Sequence, residues 1–234
     1  MLYRQYADLK EEVLQEADME AEEFVQDTEI LAYFNDGVRE AVAIIQKMGL
    51  EDDYFNNSAT YSLTSGQTTL DLPADIYAAK ITGLTYATPT KVYPIKRLKG
   101  KNKSVVKQQI LQGPSGADQR YMYDIVNSDP TTGFKLRLYP ASYETTTNCI
   151  VMDYIRTATT IAADTDLVDI PEFYSFIKAF VKYKLFDKEN SPKSAETKAD
   201  YLKETALMVD TLREMTPDSD NEIEGDYSHY EEMV

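Results

Sequence analysis

The side chains of this chain best able to do chemistry are carboxylates and lysines, because the residues that usually activate nucleophiles or bind metals are scarce. Its 234 residues hold 40 Asp and Glu, 24 Lys and Arg, one histidine, one cysteine and no tryptophan. His229, alone among acidic residues near the C-terminus, reads as solvated and cannot supply a histidine-activated serine or cysteine or a multi-histidine metal site. Cys149 lies in the apolar run Cys149-Ile150-Val151-Met152 and reads as a buried structural thiol, which permits no internal disulfide and fits a reducing compartment. Neither the G-x-x-x-x-G-K-[ST] nor the G-x-G-x-x-G phosphate cradle occurs. Asp218, Asp220, Glu222 and Glu224 alternate like calcium ligands, yet a loop opened at Asp218 needs Gly sixth and Glu twelfth and has Ile223 and His229 there. A glycosidase pair does not stand out from the other acids, and without Trp the common sugar-stacking platform cannot be built. No catalytic, cofactor-binding or metal-ligating residue is assigned, and an enzyme reading has no centre to stand on.

The cations are more informative. Lys96, Arg97, Lys99, Lys101, Lys103 and Lys107 place six positive charges in twelve residues without an acid. The plain reading is a solvated loop and helix start; the sharper one is contact with a nucleic-acid backbone or with an acidic neighbouring surface. The second kind of neighbour is available in the chain itself. Net charge is −16, distributed as −11 over residues 1–58, +3 over 59–166 and −8 over 167–234. A chain so acidic offers only a local basic face, which argues against sequence-specific duplex binding; a packaging or regulatory module that uses the Lys96–Lys107 cluster is the alternative reading. No apolar run is long enough for a membrane span, and the N-terminus lacks the apolar core of a secretory signal, so the expectation is a soluble, unexported protein with no membrane partner.

The elements that must position these residues follow from periodicity. Leu2, Tyr6, Leu9 and Val13 share one side of a first helix, which frays through the acidic segment 18–23. A second helix starts near Asp27 or Thr28 as N-cap, carries Leu31, Phe34, Val38, Ala41, Val42 and Ile45 in one stripe, and ends at a left-handed Gly49. The period then changes to two: Tyr61 and Leu63, a Ser65-Gly66-Gln67 turn, and Leu70 and Leu72 read as a hairpin closing on Pro73. Further strands are expected at 81–86, 92–95, 121–127, 134–139 and 149–155, with turns at 113–116 and 129–133 and a short helix at 104–111. Within 134–139, Phe134, Leu136 and Leu138 face one way and Lys135, Arg137 and Tyr139 the other, as in a half-buried antiparallel strand. Helical spacing returns with Pro171 at a first helical position and Phe173, Ile177 and Phe180 as its stripe. A last helix after Ser191-Pro192 carries Tyr201, Thr205, Met208, Leu212 and Met215 and stops at Pro217.

The fold class is therefore α+β. Long helices from both chain ends, 1–58 and 167–215, form a bundle, a β-rich antiparallel lobe at 59–166 is inserted between them, and 216–234 is an extended acidic tail. That tail has seven acids and no Lys or Arg, interleaved with apolar residues, and cannot fold alone; it suits ordering on a partner.

The order of several short motifs resembles one known family. Ile30-Leu31-Ala32-Tyr33-Phe34-Asn35-Asp36-Gly37-Val38-Arg39-Glu40-Ala41 is similar to the "hydrophobic, Asn-Asp, then Arg-Glu-Ala" helix of tailed-bacteriophage head-to-tail adaptors. Leu70-Asp71-Leu72-Pro73-Ala74-Asp75-Ile76 looks like that family's Leu-Pro-x-Asp element. Phe134 to Pro140 looks like its strand ending in Tyr-Pro, Val151 to Arg156 like its Asp-Tyr-x-Arg strand, and Asp169-Ile170-Pro171-Glu172-Phe173 like the start of its third long helix. The resemblance spans about residues 1–215 and implies a structural virion protein made in the host cytoplasm. It implies a homo-oligomeric ring, typically of twelve copies, beneath the portal, which extends the DNA channel and docks the tail nozzle or tube. DNA would pass without sequence-specific binding, and no cofactor would be needed. In related rings the C-terminal segment reaches the portal, which assigns Asp218, Asp220, Glu222, Ile223, Glu224, Tyr227 and Tyr230 to portal binding. Lys96, Arg97, Lys99, Lys101, Lys103 and Lys107 then face a neighbouring subunit, the nozzle or DNA. An unrelated structural protein of a tail or neck is the remaining reading.

Overall fold

Apolar spacing of three and four at both ends of the chain, and of two between them, becomes helices flanking a block of strands. The computed structural model describes residues 2–19, 25–87, 92–98, 121–129, 133–142 and 144–215. The helices are α1 (Tyr6–Ala17), α2 (Asp27–Lys47), α3 (Glu51–Phe55), α4 (Tyr174–Lys188) and α5 (Ser194–Met215), with one 3-10 turn at Pro171–Phe173. The strands are β1 (Asn56–Leu63), β2 (Thr69–Asp71), β3 (Ile76–Ala87), β4 (Val92–Pro94), β5 (Lys96–Arg97), β6 (Met122–Asp129), β7 (Gly133–Tyr139) and β8 (Thr146–Arg156). The chain divides into two units, one made of Met1–Glu51 and the chain from Ala158 onward, the other of Asp52–Thr157. The expected short helix at 104–111, the turn at 113–116, the middle of the 129–133 turn, most of the fraying segment 18–23 and Pro217 lie outside the described residues.

The helical unit is organised around α4. Its Phe176, Ile177, Ala179, Phe180, Val181, Leu185 and Phe186 are all buried, so it is apolar nearly all round, as a helix must be when neighbours cover several sides. Those neighbours are α1, α2 and α5. α2 lies so close that a Cβ on Gly37 would stand 3.2 Å from the Phe180 ring and 3.4 Å from Ile177, which is why the stripe needs a glycine there. Tyr201 of α5 packs on α4 through the rings of Phe176, Phe180 and Tyr183 at 5.6, 5.5 and 6.0 Å. α2 ends as expected: Gly49 adopts φ +73°, and Leu50 N–H donates to Ile45 C=O while Gly49 N–H donates to Gln46 C=O.

Local expectations shift in three places. Leu2 is 90% exposed and precedes α1, whose buried face is Tyr6, Leu9, Val13 and Ala17. The N-cap of α2 is Gln26, not Asp27 or Thr28, because the Glu29 carboxylate reaches back to the Gln26 N–H at 3.1 Å and closes the helix end. Pro171 opens a single 3-10 turn, not the long helix, which starts at Tyr174.

In the strand unit, one sheet runs β1-β8-β3-β4 and the other β2-β7-β6-β5. Leu63, Leu84, Tyr86, Ile150, Met152 and Tyr154 from the first meet Leu70, Tyr123, Leu136 and Leu138 from the second in one core that also holds Cys149, with its side chain fully buried. The hairpin expected between Tyr61–Leu63 and Leu70–Leu72 does not form: β1 pairs with β8, and β2 with β7. The turn between them exists, with Gln67 N–H on Thr64 C=O at 3.0 Å, but it carries the chain from one sheet to the other. Leu63 and Leu70 then enter the same core from opposite walls, and the longer β8 and β7 bury them as an isolated strand pair could not. In β7, Leu136 and Leu138 are buried as expected, while Phe134 at the strand end is 43% exposed.

Asn35 joins the two halves of the helical unit. Its side chain donates to Ile161 C=O at 3.0 Å and to Leu31 C=O at 3.1 Å, and accepts from Ile161 N–H at 2.9 Å. Asn35→Ala orphans both backbone groups of buried Ile161 and is expected to cost about 2–3 kcal/mol, read from urea unfolding; a loss below about 0.5 kcal/mol would refute this role. Gly37→Val forces α2 and α4 apart and should cost about 1–3 kcal/mol in the same assay.

Candidate interaction surfaces

Of the cationic cluster, Lys96 and Arg97 fall among the described residues. They form β5, paired in parallel with Met122 and Tyr123 at the edge of the second sheet, and both are exposed. Flanking Ile95 and Leu98 are buried, so the two charges are held outward by anchors on either side. Leu98 N–H donates to Tyr123 C=O at 2.7 Å and Ile95 N–H to Leu84 C=O at 2.8 Å. Burial pushes the Tyr123 hydroxyl pKa up, and the Arg97 charge opposes it. A fixed cationic pair at a sheet edge suits salt-dependent contact with phosphate or carboxylate. Lys99, Lys101, Lys103 and Lys107 lie outside the described residues, as do His229 and the tail positions Asp218, Asp220, Glu222, Ile223, Glu224, Tyr227 and Tyr230.

The short motifs acquire physical roles. Tyr154 OH donates to the Asp75 carboxylate at 3.0 Å and accepts from Asn57 Nδ2 at 3.0 Å, so the Asp of Leu-Pro-Ala-Asp and the Tyr of Asp-Tyr-Ile-Arg are two ends of one contact. Asp75 C=O also accepts from Thr157 N–H at 2.6 Å. Asp169 accepts from Thr159 N–H at 2.6 Å. Tyr174 OH accepts from Arg4 N–H at 3.0 Å and donates to Val168 C=O at 2.8 Å. None of these contacts was assigned from the sequence.

The acidic face of α1 is met by cations of α4. Arg4 and Lys178 both hold Glu12, at 3.0 and 3.2 Å, while Lys178 and Lys182 hold Glu16. Lys188 pairs with Glu29, and Lys10 with Asp27 at 2.9 Å. Among the described residues, no group of three or more His, Cys, Asp or Glu is placed to hold a metal, and no helix is long and apolar enough to cross a membrane.

Hydrogen bonds from Arg4, opposed by partial desolvation and joined by those from Lys178, hold the Glu12 carboxyl at about 2, against an ordinary 4.5. A folded value below the unfolded one gives stability that is complete above pH 4.5 and lost as pH falls toward 2. The urea midpoint should therefore drop across that window, and Glu12→Gln should flatten the drop. Because about a third of the side chain is exposed, solvent screening keeps its share of the drop modest. An unchanged slope in the Gln variant would remove Glu12 from the account.

No curated protein matches the chain. The sequence model of the SU10 adaptor protein family does, over residues 4–224, which takes in both units and every motif quoted above. With the match covering almost the whole length, the chain belongs to the SU10 adaptor proteins, a structural family of phage head-to-tail adaptors.

Proposed function

We propose that this adaptor closes into a ring, typically of twelve copies, beneath the portal, extends the DNA channel and docks the tail nozzle or tube. The observation that carries the reading is the family match over residues 4–224. In this reading the helices of 1–58 and 167–215 form the ring body, 59–166 is a lobe inserted between them, and 216–234 binds the portal. An acidic chain repeated around a lumen repels phosphates and lets DNA pass without sticking. In the tail, Ile223, Tyr227 and Tyr230 spaced by Asp218, Asp220, Glu222 and Glu224 suit folding onto a basic portal groove, with ordering offset by apolar burial and charge pairing.

Particle mass, measured by native mass spectrometry on the protein alone and mixed with the portal from the same genome, tests the ring. A closed oligomer, or a monomer that joins the portal stoichiometrically, is the expected result; a monomer indifferent to the portal overturns the reading. Deleting residues 216–234 should abolish portal binding while leaving the circular dichroism spectrum and melting temperature intact. Full portal binding by the truncated chain would reject the role of the tail.

A further inference from the structure

Two recesses meet on the helical unit at Lys10 and Asp164. The outer one, of about 460 Å³, runs along α1 past Ala7, Glu11 and Leu14; the inner one, of about 120 Å³, reaches Tyr6, Asp27 and Thr28. Tyr6 is only 2% exposed, and its hydroxyl is buried without a hydrogen-bond partner among the described residues. Its ring is wedged edge-on against Phe34 at 5.1 Å, so the hydroxyl cannot easily swing out to solvent. Asp164 and Asp27 line the inner recess together with Tyr6, and burial first, then their charges, push the hydroxyl pKa up. Lys10 is already committed to Asp27 at 2.9 Å, with its ammonium 5.9 Å from the centre of the Tyr6 ring. Asp164 is exposed and has no ion pair among the described residues, and Glu11 accepts only from the neighbouring Gln15. With Lys10 and Asp27 cancelling, the recess keeps, among the described residues, two uncompensated carboxylates and a phenol free to accept.

We propose that this recess receives a lysine ammonium from a second copy of the chain, a contact that rests on the ring reading above. An anion would face Asp27, Asp164 and Glu11, and the described acids are not grouped to ligate a metal. A compact ammonium with three rotatable donors matches scattered acceptors at Tyr6, Asp164 and Thr28 better than the planar fork of a guanidinium. Its methylenes would lie along Ala7 and Leu14 in the outer groove. The chain carries the complementary partner, since residues 96–107 hold five lysines and an arginine with no acid, and Lys96 stands exposed at a sheet edge. Each copy then offers one recess and one lysine segment, a head-to-side contact of the kind that closes rings.

Zero-length carbodiimide cross-linking of particles assembled from an equal mixture of isotope-labelled and unlabelled chains, alone or on the portal, tests this directly. Peptides joining Asp164 or Asp27 to a lysine of 96–107 are expected in mixed-isotope form. Tyr6→Phe removes a hydroxyl that the described residues leave unsatisfied. It should keep or raise the melting temperature of the monomer while weakening assembly about tenfold, the scale of one lost charge-assisted hydrogen bond. Asp164→Asn should weaken assembly similarly. Same-isotope cross-links only, no such cross-link, or a Tyr6→Phe variant that assembles as tightly as the parent would overturn the proposal, the last showing that solvent fills the recess. If the parent joins the portal normally while these results fail, the adaptor reading stands and the lysine contact falls. If the parent joins neither itself nor the portal, both fall.

Discussion

The helical unit exists because two stretches of chain, separated by the whole of residues 52–157, are stitched into one body. Closing so long a loop costs conformational entropy before any contact forms, so the seam needs directional bonds as well as apolar burial. It has them. Tyr6 N–H donates to Asp166 C=O at 2.8 Å and Val168 N–H to Arg4 C=O at 3.0 Å, a short backbone pairing between the N-terminus and the returning chain. Tyr174 OH bridges Arg4 and Val168, and Asn35 holds both backbone groups of Ile161. α4 is then laid down at a defined register against α1 and α2, where Gly37 permits the close approach.

Charge follows the same seam. A chain with net charge −16 pays a repulsive cost on compaction, most of all at its acidic ends. Lys178, Lys182 and Lys188 of α4 face Glu12, Glu16 and Glu29 of α1 and α2, so acids of the first stretch are paired with lysines of the second where the two meet. These pairs are part-exposed and individually worth little, but they set the partner and register of α4 against wrong pairings. What remains at the surface of α1 is negative, and that surplus gives the recess beside Tyr6 its character.

The strand unit solves a different problem. Its two sheets have short strands at three of their edges, and a shared core of aromatic and aliphatic residues ties them together. The contact between Asp75 and Tyr154 pins the point where β3 begins beside the end of β8, next to a register shift at which Ala78 and Ala79 take positive φ.

The positions and types of most elements were legible from periodicity, since each helix stripe and strand alternation is a property of a dozen consecutive residues. Leu9 and Val13, Phe34, Val38, Ala41 and Ile45, and Leu136 with Leu138 face inward as their spacing predicts, while Leu31 and Val42 of the same stripe are only half-buried. Gly49 likewise reports a local backbone need. Strand partners were not legible: Leu63 and Leu70 lie close in sequence on either side of a turn, yet the choice between pairing together and pairing with β8 and β7 depends on surfaces 83 and 66 residues away. The candidate site divides the same way. The cationic run and the acidic surplus are composition, visible at once, whereas Asn35 finds Ile161 across 126 positions and Tyr154 finds Asp75 across 79. A buried hydroxyl left without a partner is decided only when α1, α2 and the returning chain enclose it, because satisfaction of a polar group is a property of its surroundings and not of its residue type.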